Sequence, residues 1–170
     1  MVPVHEALAR LQIDLANVLH RPPKANYVLA TWTRASQTTH LVHLAGHIPY
    51  NDDGSVLQGR IGPNCEFSSA QGYDIARRIG ISLLKTLHEE TNGQLERVRK
   101  ILKINGLVRA GDAEFDQHPA VIDGVSDLLV QVFGAEIGKH ARCAYGVHSL
   151  PFNAPVEIDM LCEVADGEHK

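Results

Sequence analysis

The 170-residue sequence predicts an α+β domain, a single-layer mixed sheet with two helices on one face and an extra helix at the N-terminus. Two observations carry this. Two long segments have helical periodicity, and short β-rich runs stand before, between and after them. The last run also alternates cleanly: Val156, Ile158, Met160, Cys162 and Val164 face one way, and Glu157, Asp159 and Glu163 face the other, with Leu161 as the exception.

Leu8, Leu11, Leu15 and Leu19 recur at helical spacing and predict a first helix over His5–Leu19. Arg21-Pro22-Pro23 should stop it, because proline lacks the N–H and restricts the residue before it. Tyr27–Thr33 and Leu41–Ile48 are rich in Val, Leu, Thr and aromatics and read as a hairpin. A turn at Asn51-Asp52-Asp53-Gly54 follows, then a short third strand near Val56–Ile61. Ser68 and Gln71 have capping-box spacing, and Asn92-Gly93 suits a left-handed helix end, so Ser68–Thr91 is a helix. Its inward stripe is Gly72, Ala76, Ile79, Leu83 and Leu87, and the small residues Gly72, Ala76 and Gly80 predict a close approach to the sheet.

Val98–Val108 reads as a strand with Val98, Leu102, Ile104 and Val108 on one face and Arg99, Lys103, Asn105 and Arg109 on the other. A second helix runs from about Gln117 to Phe133, with Pro119 in its first turn and Gly134 just past its end. Val121, Val125, Leu128, Leu129 and Val132 form its buried side. The tail reads as a strand pair, Ala141–Ser149 with Pro155–Val164, around a turn at Leu150–Ala154. Helices on one side leave the other sheet face partly apolar, in need of water or a partner.

Composition narrows the function. With 44% hydrophobic and 21% charged residues the chain is of the folded kind, neither disordered nor collagen-like. Sixteen Lys and Arg against twenty Asp and Glu give −4, so nucleic acid is not expected as a partner. No apolar run approaches the ~20 residues of a bilayer span, and no signal-peptide core is read, so the expected setting is cytoplasmic. Cys65, Cys143 and Cys162 contain no CxxC pair and suit reduced thiols. Cys143 and Cys162 each fall on the apolar face of their strand and should point into packed layers.

Most local patterns have plain readings. Ser82 and Lys85 match SxxK, but they point away from the buried stripe and no KTG partner exists, so a solvated helix face is the better reading. His43 and His47 share a strand face about 13 Å apart and cannot chelate one ion. Ten histidines without HxH or HExxH spacing predict no metal. Gly59-Arg60-Ile61-Gly62 is too short for a phosphate loop, and no cofactor is expected.

Two residues are more informative. Arg142 shares its strand face only with Ala144 and Gly146, so its guanidinium is accessible to a carboxylate ligand. The alternative is a structural pair with an acid such as Glu163. Glu157, on the polar face of the last strand, is either a solvated edge carboxylate or a group that holds and activates water.

Leu44-Ala45-Gly46-His47-Ile48-Pro49, Gly106-Leu107-Val108, His140-Ala141-Arg142 and Leu150-Pro151 with Val156-Glu157-Ile158 resemble signature segments of the RidA/YjgF family, also labelled L-PSP endoribonuclease. Pro22-Pro23, Ala25-Asn26-Tyr27-Val28 and Gly124-Val125-Ser126-Asp127-Leu128-Leu129 with Val132-Phe133-Gly134 resemble its longer branch. The chain then divides into an N-terminal helical extension (1–21), a RidA/YjgF-like domain (22–165) and a short tail (166–170).

The resemblance implies a chorismate-mutase-like subunit of a homotrimer with ligand clefts between subunits. It implies hydrolysis of small 2-imino acids and their enamine tautomers to 2-oxo acids and ammonia, without metal or cofactor. It implies that Arg142 holds the substrate carboxylate, Glu157 positions the attacking water, Tyr27 lines the cleft and the Gly46 N–H faces the ligand. Ala45 stands where the family usually has serine, His47 where it has glutamine and Ala144 where it often has cysteine. Its helix asparagine has no secure counterpart, with Asp123 or Ser126 the nearest candidates. These departures keep open a non-catalytic trimer that binds small carboxylates; ribonuclease activity, suggested by the older label, is disfavoured by the net charge.

Overall fold

A computed structural model describes residues 2–19, 23 and 25–167. Arg21 and Pro22 of the predicted helix stop, and residues 168–170 of the tail, lie outside the described residues. Five strands form one mixed sheet: β1 (Ala30–Arg34), β2 (Thr39–His47), β3 (Val98–Arg109), β4 (Ala141–Val147) and β5 (Val156–Ala165). Two long helices, α2 (Ser69–Glu90) and α3 (His118–Gly138), cover one face, and a short α1 (Val4–Arg10) packs on α3. Among the described residues no helix is long and apolar enough to cross a membrane.

The strand order is β1-β2-β5-β3-β4. The last strand is therefore central, antiparallel to β2 and to β3, and its alternating residues Val156, Ile158, Met160, Cys162 and Val164 are at most 1% exposed. This corrects the predicted tail hairpin, because β4 and β5 are not partners. α3 carries the chain back across the sheet, so β4 runs parallel to β3, and β5 takes the other side of β3. Arg142 consequently lies opposite Ile104, and Glu157 opposite Leu107. The proposed Arg142–Glu163 pair does not form; Glu163 stands opposite Leu41 and Lys100.

Sidedness is also corrected at β4. Arg142 points to the helices, and Ala144 packs against the core. Cys143 is exposed on the bare face, 3.2 Å from Lys103 Nζ, rather than in a packed layer. Alternation groups residues by face, but in this edge strand it does not reveal which face the helices cover. Cys162 is buried as expected, and burial pushes its thiol up to about 12.

β3 departs from simple alternation. Irregularities between Val98 and Lys100 and between Ile101 and Lys103 bring Ile101, not Leu102, onto the core face. The third strand near Val56–Ile61 is only a set of isolated bridges. Gly59 and Gly62, at φ of 148° and 147°, break the extended run there.

α1 is shorter than predicted. Gln12 adopts φ 56°, and Ile13 N–H donates to Leu8 O at 2.9 Å while Gln12 N–H donates to Ala9 O at 3.0 Å, which closes the helix in a Schellman arrangement. The leucine periodicity outlasts the helix because a separate turn, Leu15–Asn17, buries Leu15.

α2 begins and ends as read. Ser68 Oγ accepts from Gln71 N–H, Gln71 Oε1 accepts from Ser68 N–H, and Asn92 and Gly93 have positive φ. Its glycines do something other than predicted. A Cβ at Gly80 would meet Val125 and Leu128 of α3, and one at Gly72 would meet Ile61 as well as Val121, so Gly80 admits α3 and Gly72 admits both α3 and the bridged segment at Ile61. Gly124 of α3 lies directly on the α2 main chain at Tyr73 and Arg77. Gly124→Ala should therefore cost about 1–3 kcal/mol, since backbone cannot step aside as a side-chain tip can. Thermal melting would show a drop of about 2–4 °C per kcal/mol for a chain of this size. An unchanged melting temperature would contradict the close crossing. α3 itself breaks at Gly134 (φ 76°, ψ 167°), the predicted end, and resumes to Gly138.

Candidate active site

The site is built on an irregularity in the sheet. β2 and β5 are in register at Leu44 with Met160 and again at His47 with Ile158, so Ala45 and Gly46 bulge against Asp159. The extra residue changes sides: Leu44 faces the core, Gly46 is exposed, and His47 turns to the helices. His43, exposed on the strand, and His47 thus lie on opposite faces, which corrects their shared-face reading. The His47 ring is held at both nitrogens, Nδ1 to Ala45 O at 2.7 Å and Nε2 to Thr86 Oγ1 of α2 at 2.8 Å.

β1 starts only at Ala30, so the chain before it leaves the bulge uncovered by a strand. A cleft of about 130 Å³ opens there, lined by Tyr27, Gly46, His47, Tyr50, Thr86, Phe152 and Glu157 among others. Tyr27, Gly46 and Glu157 are brought together as the resemblance implied. Ala45 is not in the lining; its carbonyl instead orients His47. Ser82 reaches the rim, but its hydroxyl donates to Arg78 O and Lys85 pairs with Glu89, so no Ser–Lys dyad exists. Thr86 was missed by the sequence reading. Its signal was a polar residue beside Leu87 on the buried side of α2.

Glu157 is half-buried, and burial, reinforced by the Asp159 charge, holds its carboxyl above the usual carboxylate range. A Cβ at position 46 would overlap the Glu157 carboxylate. Gly46 is thus required by close approach. Gly46→Ala should displace the carboxylate and lower turnover at least about tenfold, with a stability loss under about 1 kcal/mol because the flexible Glu157 tip can move. Wild-type turnover in a folded Gly46→Ala protein would show that the contact is incidental.

Arg142 stands elsewhere. Its Nη1 donates to Asp123 Oδ1 at 2.7 Å and to Ser126 Oγ at 3.1 Å, both on α3. Ser126 Oγ lies 3.1 Å from His140 Nε2, and His140 Nδ1 lies 2.7 Å from Gly138 O. A carbonyl only accepts, so Nδ1 carries the proton. Burial lowers the His140 pKa and keeps the ring neutral near pH 7, so Nε2 accepts from the Ser126 hydroxyl. The chain of donors runs Arg142 to Ser126 to His140 to Gly138. Both candidate counterparts of the family's helix asparagine therefore sit on the arginine.

Arg142 and Glu157 are not brought together within the chain. Their partners Ile104 and Leu107 are three residues apart on β3, and β3 lies between β4 and β5, so their Cα atoms are roughly 14 Å apart. Their side chains also leave opposite faces of the sheet. Among the described residues no three His, Cys, Asp or Glu side chains cluster as a metal site.

Residues 15–164 match the family described as "YjgF/chorismate mutase-like, putative endoribonuclease". The chain belongs to this family. Protein TCP17 of Trypanosoma cruzi is 37% identical to this YjgF-like chain over 123 residues, covering 72% of the chain and 74% of that protein. The crystal structure of Atu1372 from Agrobacterium tumefaciens is similar over 95% of this chain and 93% of that one, at 30% identity and a TM-score of 0.75. A Shewanella oneidensis structure described as a putative endoribonuclease shares the fold at a TM-score of 0.79 and 23% identity, over 95% of this chain and 99% of that one. The two solved structures share the architecture of this chain, and the predicted α+β fold with one mixed sheet is the fold observed.

Proposed function

We propose that this YjgF-like chain hydrolyses small 2-imino acids and their enamine tautomers to 2-oxo acids and ammonia, in clefts between the subunits of a cytoplasmic homotrimer. The observation that carries this reading is Glu157 lying over Gly46 in a cleft, with burial holding its carboxyl above the usual carboxylate range. A carboxylate so tuned is a better proton acceptor than a solvated one.

The chemistry follows. Arg142 of a neighbouring subunit fixes the substrate carboxylate, which converts encounter into orientation. The Glu157 carboxylate takes a proton from water as the oxygen attacks the C=N carbon. Protons then pass to nitrogen, the carbinolamine expels ammonia, and the C=O bond forms. Two subunits are needed because Glu157 and Arg142 face opposite sides of one sheet. The bare face, with Leu41, Leu107, Tyr145 and Leu161, supplies an apolar surface for the assembly.

A second reading is a trimer that binds small carboxylates without turnover, favoured by Ala144, an apolar residue on the same strand face as Arg142. RNA cleavage, in the description of some relatives, is disfavoured here: among the described residues of the chain no Lys or Arg lines the Glu157 cleft, and the net charge is −4.

Ammonia release from freshly generated 2-iminobutanoate tests the deaminase reading. Binding of 2-oxobutanoate without any release would replace it with the binding trimer. Light scattering should give three times the 18.6 kDa chain mass. A monomer at all concentrations would remove the shared cleft.

A further inference from the structure

Asp123 brings to Arg142 a second charge that the proposed hydrolysis does not use. The two side chains are 49% and 25% exposed, and the contact is a single 2.7 Å bond from Nη1 to Oδ1. The plain account is a strut between α3 and β4, of the kind that adds little stability. The hydrogen-bond pattern says more. Nη1 is fully occupied by Asp123 and Ser126, so the guanidinium cannot rotate freely. Nε and Nη2 have no partner among the described residues, and they form the edge that matches a carboxylate. Asp123 Oδ2 likewise has no partner among the described residues.

We propose that Arg142 and Asp123 act as a matched pair that selects zwitterions, taking a carboxylate on the Arg142 edge and a cationic nitrogen on the adjacent carbon at Asp123. The proposal rests on Arg142 being the carboxylate anchor. A simple monoanion gains from Arg142 and loses to Asp123, whereas a zwitterion gains from both. The protonated 2-imino acid has that charge pattern. The 2-oxo acid product, of nearly equal size, lacks the cation, so the same pair that holds the substrate favours release of the product. Asp123 is then a specificity-determining residue.

Calorimetry on the assembled protein with 2-aminobutanoate, a stable zwitterion, and 2-oxobutanoate tests this. Wild type should bind the amino acid about tenfold more tightly. Asp123→Asn should weaken 2-aminobutanoate about tenfold and tighten 2-oxobutanoate, reversing the preference. A shift of both ligands by one factor would make Asp123 a mere support for Arg142 and overturn the proposal. So would a wild type that prefers the oxo acid, a measurement that needs no variant. Unchanged binding of both ligands to Arg142→Ala would instead remove the anchor itself, a failure distinct from that of Asp123.

Discussion

Glu157→Gln is expected to lower turnover about 10²–10⁴-fold, the range for loss of a positioned general base, while 2-oxobutanoate still binds within a factor of about two. Glutamine keeps the shape of the side chain over Gly46 but cannot take a proton from water. The acidic limb of the wild-type pH profile should lie above the ordinary carboxylate range, because burial and Asp159 raise this carboxyl. Activity should fall as pH drops through that raised value, and the limb should vanish in the variant. Stability moves the other way. A carboxyl whose folded pKa is raised favours the folded state most when protonated, and that contribution is lost as pH rises through the folded value. Glu157→Gln should therefore be slightly more stable than wild type at pH 7, by less than about 1 kcal/mol, with the gap closing in acid. A variant that keeps full turnover, or whose acidic limb stays in place, would dismiss Glu157 as the base.

Arg142→Ala should weaken 2-oxobutanoate about 10²-fold and reduce turnover with it, consistent with losing charged hydrogen bonds worth about 1.5–3 kcal/mol each. Arg142→Lys should rescue little. One ammonium cannot hold Asp123 and Ser126 and still present a planar two-pronged edge. The proposed cleft between subunits adds a sharper expectation. Neither Glu157→Gln nor Arg142→Ala trimers should turn over substrate well, but trimers reassembled from an equal mixture should regain about a quarter of wild-type activity. In such a mixture about one interface in four joins an intact Glu157 to an intact Arg142 of the next chain. Recovery absent from verified mixed trimers would place the whole site within one subunit. Undiminished activity in Arg142→Ala would end the deaminase reading, and unchanged binding would end the binding-trimer reading at this cleft.

Much of the site was legible as residues and little of it as geometry. Tyr27, Gly46 and Glu157 were named together, and the cleft unites them. In the sequence Ala45 stands out only as a departure and His47 as a departure and a strand neighbour of His43, while their joint role, a ring fixed between Ala45 O and Thr86, depends on the bulge. Arg142 was singled out for its small neighbours, yet its actual partner was a helix acid 19 residues away in sequence rather than Glu163.

The sequence by itself determined what depends on neighbours along the chain. The capping box at Ser68, the buried stripe of α2, the glycine break at Gly134 and the alternation of β5 are local, set by hydrogen bonds and periodicities within a few residues. Only the tertiary structure decided which strands pair, which face the helices cover and where a register slips. β3 lies between β4 and β5 because α3 returns the chain for a parallel partner, and the bulge at Ala45-Gly46 appears only where β2 is paired with β5. These choices depend on burying one sheet face against helices drawn from distant parts of the chain. A period of two groups residues onto a face, but only packing says whether that face meets helices, solvent or another subunit.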